Sequence, residues 1–338
     1  MLGTTLSSVE GSRLAARDGN ARTARYSLMR VLVTGGTGYL GSAIVRALSA
    51  RGHDPVVFAR QASQSAGPGA RIDGDIRDRS AVRRAAAGVD AIIHAAALVS
   101  IWHPRASLFD EINVGGLEAT LDAVRALGIP RIVYTSSFLA RPPADARAPL
   151  TANDYQRTKV RAGQIARAAI EAGVPLVSLV PGVIYGSGKE TEGNLIGRMV
   201  ADHLAGRSPG LIGADRCWSY SYLEDVADAH VNALMSGVEP GEYLVGGENS
   251  TQMRVFEIVR EATGAPLPRR IPWPAAYAAG WAEDVRARLT GRTPIITRAV
   301  VKIFRHDWPM DSARSVEKLS YRITPLQVGV RALLSVKT

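Results

Sequence analysis

The sequence predicts an α/β chain, a doubly wound parallel sheet followed by a smaller carboxyl-terminal lobe. Three observations carry this. From Met29 to about Val180, short β-branched runs alternate with longer Ala/Arg/Leu segments, the rhythm of βαβ units. A glycine-rich turn joins the first strand directly to the first helix. After Pro181 the alternation breaks down into a Pro- and Gly-interrupted remainder.

The strands are expected at Arg30–Thr34, Pro55–Ala59, Ala70–Asp73, Asp90–His94, Arg131–Thr135 and Pro175–Val180. Between them, apolar residues at helical spacing predict helices over Tyr39–Arg51, Ser80–Ala87, Leu108–Leu127 and Asp154–Ala172. Right-handed crossovers then generate the doubly wound sheet. Beyond Pro181, helices are expected near Leu195–Leu204, Leu223–Met235 and Met253–Thr263, with a short strand at Tyr243–Val245. In the segment Ile271–Arg292, Trp273, Tyr277, Trp281, Val285 and Leu289 recur at intervals of four, which predicts a helix packing an aromatic stripe on the lobe. The competing expectation is a helix resting on a membrane surface.

Composition bounds the function. The 338 residues carry a net charge of +10, but the central region is nearly neutral, and residues 241–338 hold 15 basic and 9 acidic side chains. No basic block interleaved with aromatics is present, so no nucleic-acid partner is expected. Cys217 is the single cysteine, which excludes an internal disulfide and a cysteine-built zinc site; no metal is expected, and a cytoplasmic, reducing setting is. No run of about 18 apolar residues exists, so no membrane span is expected. Residues 1–28 have no apolar signal core and are expected to form a disordered extension, with a targeting role left open.

The glycine turn reads Thr34-Gly35-Gly36-Thr37-Gly38-Tyr39-Leu40-Gly41. Glycines at 35, 38 and 41 let the chain turn tightly, let backbone N–H groups approach a diphosphate and let the helix pack close to the strand. An acid at the end of the second strand would hold ribose hydroxyls, but here the strand ends Ala59-Arg60. A guanidinium at that point pairs with a 2'-phosphate, which favours NADP(H) over NAD(H). Asp75 and Ile76 are expected beside the adenine. Ala95, Ala96 and Ala97 let a flat cofactor lie against the backbone, and His94 is expected to be a packed core histidine.

Further on, Ser137 closes the fifth strand and Tyr155 and Lys159 open the next helix four residues apart, on one face. An ammonium near the phenol favours phenolate and moves its pKa towards the working range, while Ser137 hydrogen-bonds the substrate oxygen.

Taken together, these residues resemble the extended short-chain dehydrogenase/reductase family, most nearly its dihydroflavonol-reductase and farnesol-dehydrogenase-like branch. The resemblance runs from about Met29 to the carboxyl terminus. It implies a Rossmann NADP-binding domain over residues 29–180 and a substrate lobe over 181–338 with segments returning to the first domain. It also implies a catalytic triad of Ser137, Tyr155 and Lys159, a supporting Asn113, and contact of Pro181, Gly182 and Val183 with the nicotinamide carboxamide. A homodimer is common in the family.

Three functions compete: an NADP(H)-dependent oxidoreductase acting on a hydrophobic ketone, aldehyde or alcohol, a sugar-nucleotide epimerase or dehydratase with bound NAD, and a cofactor sensor without chemistry. Sugar-nucleotide enzymes of the family place an arginine before the Tyr-x-x-Asp segment, where this chain has Trp218; Arg216 would compensate if the register slipped. The retained Tyr155 and Lys159 speak against the sensor. Leu98, Val99, Ile101, Trp102, Phe138, Leu139, Val183, Ile184 and Tyr185 predict an apolar pocket wall.

Overall fold

The computed structural model of the protein describes residues 28–189, 191–235 and 237–335. The extension expected over residues 1–28 therefore lies, save for Leu28, outside the described residues.

The chain begins with β1 (Arg30–Thr34), α1 (Tyr39–Ala50), β2 (Asp54–Ala59), β3 (Ala70–Asp73), α2 (Arg79–Ala85) and β4 (Ala91–His94). There follow α3 (Ser107–Phe109), α4 (Gly115–Leu127), β5 (Ile132–Thr135), α5 (Asp154–Glu171) and β6 (Leu176–Pro181). These strands pair in parallel in the order β3-β2-β1-β4-β5-β6. The central strands β4, β5 and β6 are buried along their whole length because helices cover both faces, which is why they read as unbroken apolar runs. Local signals fix the helix ends. Asp78 accepts from the backbone of Ser80 and Ala81 at the start of α2, Asn153 accepts from Gln156 at the start of α5, and Gly128 ends α4 in the left-handed region.

The single helix expected over Leu108–Leu127 is divided. A π-helical turn at Asp110–Val114 links α3 to α4. Its extra residue accompanies the inward-facing Asn113, whose amide bonds the Leu98 backbone and Thr158 instead of facing solvent.

Beyond β6 come β7 (Val183–Tyr185), α6 (Leu195–Leu204), β8 (Cys217–Tyr222), α7 (Leu223–Asn232), β9 (Gly241–Val245) and β10 (Glu248–Thr251). The described chain ends with α8 (Gln252–Thr263), α9 (Trp273–Thr290), α10 (Arg298–Phe304), α11 (Ala313–Leu319) and α12 (Leu326–Ser335). Two of these elements return to the first sheet: β9 pairs with β6 as its seventh strand, and α7 packs on α1. Strands β10, β8 and β7 form a separate three-stranded sheet that the sequence pattern did not predict. Asp225 on α7 is fully buried and accepts from Arg322 at 3.1 Å and from the Thr324 backbone at 2.7 Å, which ties the chain before α12 to the interior.

Helix α9 corrects another expectation. Its packed side consists of Ala276, Gly280 and Ala287, while Trp281, Val285 and Leu289 of the aromatic stripe are exposed. Small residues win this contact because α10 comes too close for anything larger. A Cβ on Gly280 would lie 2.8 Å from the Arg298 nitrogen and 3.0 Å from the Thr297 carbonyl carbon. Gly280→Val should therefore lower unfolding free energy by about 1–3 kcal/mol in denaturant titration; an unchanged midpoint would show that α9 and α10 do not meet there.

Candidate active site

The carboxyl ends of β1, β4, β5 and β6 converge on one cavity of about 1790 Å³ that continues into the second lobe. At its floor the β1–α1 turn runs against the end of β4. A Cβ on Gly35 would sit 2.7 Å from the Ala96 Cα, and one on Gly41 would sit 2.1 Å from the Gly35 carbonyl oxygen. Gly35 is also in the left-handed region, φ 71°. These contacts leave a bare backbone cradle at the start of α1, open to an anionic ligand.

Of the residues predicted to hold a cofactor, Gly35, Thr37, Gly38, Tyr39, Leu40, Gly41, Arg60, Asp75, Ile76, Ala95, Ala96, Ala97, Pro181, Gly182 and Val183 all line this cavity. The cradle and these surroundings fit a dinucleotide. Asp75 is bound by Arg77 at 2.6 Å, and the guanidinium holds its carboxyl below the usual range. Gly182 lies so near β8 that a Cβ would meet the Ser219 carbonyl at 2.4 Å, and its N–H donates to Ser221 at 3.0 Å. The segment after β7 arches back over the glycine turn. The Tyr39 hydroxyl donates to the Gly186 carbonyl at 3.0 Å, and the Lys189 ammonium donates to the Thr37 carbonyl at 2.8 Å.

Ser137, Tyr155 and Lys159 line the same cavity. Asn153 caps α5 immediately before Tyr155, and Ser137 opens a short 3₁₀ turn, accepting from the Leu139 N–H at 3.2 Å. Lys159 is buried; its ammonium donates to the Thr135 carbonyl at 3.1 Å and lies 5.6 Å from the Tyr134 ring centroid. Burial pulls its pKa down to about 8. The expectation that Lys159 draws the Tyr155 phenol towards neutrality is not met in the protein by itself. Burial dominates and pushes the phenol up to about 12, opposed by the neighbouring Ser137 hydroxyl.

Asn113 stands outside the cavity lining. Its oxygen accepts from the Leu98 N–H at 2.7 Å, and its amide donates to the Leu98 carbonyl at 3.2 Å and to Thr158 at 3.0 Å. It thereby ties the end of β4 to the residue preceding Lys159. His94 is a packed core histidine, as expected: Nδ1 faces the Thr34 and Thr120 hydroxyls at 3.1 and 3.0 Å, and burial lowers its pKa to about 3. Sequence reasoning passed over His230, which is buried and meets the Thr135 hydroxyl at 2.8 Å, behind the carbonyl that receives Lys159. Only its place in α7 three residues after the buried Ala227 could have suggested an inward-facing polar group.

Towards the second lobe the cavity wall is mainly apolar, including Leu195, Met199, Leu211, Phe256, Ile303 and Phe304. Of the wall expected from the sequence, Leu98, Val99, Ile101, Phe138, Leu139, Val183 and Ile184 line it, whereas Trp102 and Tyr185 do not; Tyr185 is instead fully buried between the second sheet and α12. Trp218 faces the cavity from β8, only 2% exposed, with its indole donating to the His306 carbonyl at 3.1 Å and its ring 4.6 Å from Phe304. Arg216 does not take its place: it pairs with Asp307 at 3.3 Å and is absent from the lining.

The family model described as the NAD dependent epimerase/dehydratase family matches residues 31–246. Sterol demethylase protein B of Methylococcus capsulatus is 32% identical over 308 residues, covering 86% of this chain and 93% of that protein. The 2-alkyl-3-oxoalkanoate reductase of Stenotrophomonas maltophilia is 33% identical over 279 residues, covering 75% and 81%. Among solved structures, the Thermus thermophilus UDP-glucose 4-epimerase in complex with NAD superposes with a TM-score of 0.69 at 26% identity, covering 91% of this chain and 98% of that one. The chain belongs to the NAD dependent epimerase/dehydratase family, within the extended short-chain dehydrogenases/reductases, as its motifs led us to expect. It is an enzyme of that oxidoreductase and epimerase type, from a pyridine-nucleotide-binding family.

The buried Lys159 makes a test of the site's electrostatics. With its pKa lowered from 10.5 to about 8, the unfolded chain binds more protons than the native one between those values. The penalty is thus complete below about pH 8 and is relieved as pH rises towards about 10.5. Stability of the wild type relative to Lys159→Met should climb by about 3 kcal/mol over that window in denaturant titrations. Parallel stability curves would mean the lysine is not desolvated.

Proposed function

We propose that the protein is an NADP(H)-dependent oxidoreductase that interconverts a hydrophobic ketone or aldehyde and its alcohol, with Ser137, Tyr155 and Lys159 as its catalytic residues. The observation that carries this reading is that Ser137, Tyr155 and buried Lys159 line one cavity, which joins the glycine cradle to an apolar chamber. The names of two relatives, for sterol and alkyl-oxoalkanoate chemistry, agree with an apolar substrate.

The glycine turn from Gly35 to Gly41, with Thr37, Tyr39 and Leu40, would hold the diphosphate. Asp75 and Ile76 would border the adenine, Ala95 to Ala97 the nicotinamide ribose, and Pro181, Gly182 and Val183 the carboxamide; Tyr155 and Lys159 also reach the ribose side. When bound, the nicotinamide supplies or accepts a hydride. The Tyr155 hydroxyl gives its proton to the carbonyl oxygen during reduction and takes it back during oxidation. Ser137 donates a hydrogen bond to the same oxygen as its charge grows. Lys159, one helical turn away, favours the phenolate that remains. Asn113 is a positioning residue that keeps Thr158 and hence Lys159 in register.

NADP(H) is favoured because Arg60 is exposed on the cavity wall and makes no hydrogen bond or close ion pair among the described residues; the neighbouring Asp75, on which its charge also acts, is bound by Arg77. The NAD in the Thermus thermophilus epimerase supports the second reading, a sugar-nucleotide epimerase with bound NAD. Against that reading, an indole at Trp218 cannot neutralise a diphosphate, and Arg216 is engaged elsewhere. The single, partly buried Cys217 supports a cytoplasmic setting.

Tyr155→Phe should lower turnover by about 10²–10⁴-fold and leave nicotinamide affinity within a few fold of the wild type; turnover at the wild-type rate would reject the proton-transfer role. Arg60→Ala should weaken NADPH binding by about 1.5–3 kcal/mol while leaving NADH untouched. Equal losses for both cofactors would remove the basis for the NADP(H) preference.

A further inference from the structure

The side of α9 that faces away from the lobe is apolar and uncovered. Trp281, Val285 and Leu289 are 58%, 37% and 81% exposed, and their spacing of four puts them on one stripe, roughly opposite Ala276, Gly280 and Ala287. Trp281 alone of the five tryptophans is exposed. The chain after α9 extends the same character. Ile295 is 82% exposed and also lines the great cavity, together with Thr293, Pro294 and Ile296. Large apolar side chains left in water at the rim of an apolar chamber mark a contact surface rather than scattered exposure.

Charge around the patch selects the partner. Its acids are already taken: Glu283 pairs with Arg286 at 2.7 Å and accepts from the Ile295 N–H at 2.7 Å, and Asp284 pairs with Arg298 at 2.9 Å. Arg288 and Arg292 at the end of α9 are exposed and make no ion pair among the described residues. The patch is therefore apolar, carries free positive charge and has no free negative charge. That combination fits the boundary between headgroups and acyl chains of an anionic bilayer. No described helix is long and apolar enough to cross a membrane, so the contact is one of lying on the surface.

We propose that α9 and the 291–296 loop form a membrane-docking surface, which sets the lobe-side end of the cavity against an anionic lipid bilayer. An apolar substrate then passes between lipid and cavity at Pro294–Ile296 without crossing water. Docking and turnover are read by separate assays, so a failure of the oxidoreductase reading leaves the docking result intact, and the reverse.

The test is co-sedimentation of the full chain with vesicles of phosphatidylcholine and phosphatidylglycerol, three to one, against phosphatidylcholine alone. The protein should pellet with the anionic vesicles, with a blue shift of tryptophan emission, and binding should weaken at about 0.5 M salt, where the Debye length is only a few ångströms. Trp281→Ser combined with Leu289→Ser should reduce vesicle affinity by about tenfold or more, with melting temperature and cofactor affinity unchanged because both side chains are exposed. Failure of the wild type to pellet with anionic vesicles overturns the proposal. So does pelleting of the double variant like the wild type. A dimer in light scattering that the same double variant splits would assign the face to a second copy of the chain and overturn it as well.

Discussion

The backbone of the β1–α1 turn lies against the end of β4 with no room for a side chain between them, and the site is arranged around that contact. The 2.7 Å separation between a Gly35 Cβ and the Ala96 Cα fixes Gly35, and the 2.1 Å clash at Gly41 fixes the entry angle of α1. With those glycines in place, the N-terminus of α1 faces the cavity. The alanines after β4 keep its floor flat, and the arch from Gly186 to Lys189 closes on the turn through Tyr39 and Thr37. A side chain at either glycine would push α1 off the sheet and take α7, which packs on it, along.

A second layer of support holds Lys159. An ammonium buried at this depth is costly unless paired, and its partner is a backbone carbonyl at the end of β5 rather than a carboxylate. The arrangement lowers the lysine's pKa to about 8 and leaves its charge uncompensated, so negative charge arriving in the cavity is stabilised there. Thr135 is steadied by His230, and the residue before Lys159 is steadied by Asn113. The phenol of Tyr155, raised to about 12 in the protein alone, stays protonated at neutral pH.

Much of this was legible in the sequence because the information is local. The strand, turn and helix around Gly35, the small residues after His94 and the four-residue spacing of Tyr155 and Lys159 each declare themselves within a dozen residues. The misses have a common origin in distant contacts. Strand β8 pairs with β7 and with β10, each far away in the chain, and its Ser219 and Ser221 are buried because their hydroxyls bond the Gly247 and Val245 carbonyls. The π-turn exists because Asn113 reaches Leu98 and Thr158. On α9 the sequence offers two periodic faces, one aromatic and one of small residues. Burial goes to the small one because α10 crosses at Gly280, a distance that no helical periodicity encodes.

The central proposal for this cavity is a nicotinamide-coupled proton and hydride exchange on an apolar carbonyl. The most direct measurement is the absorbance of reduced nicotinamide during incubation with a panel of hydrophobic ketones, aldehydes and secondary alcohols, with UDP sugars in parallel. That proposal requires steady consumption of NADPH with an apolar carbonyl compound and no saturable binding of UDP sugars. Interconversion of a UDP sugar with no net change in the nicotinamide, on a chain purified with tightly bound NAD, would contradict it.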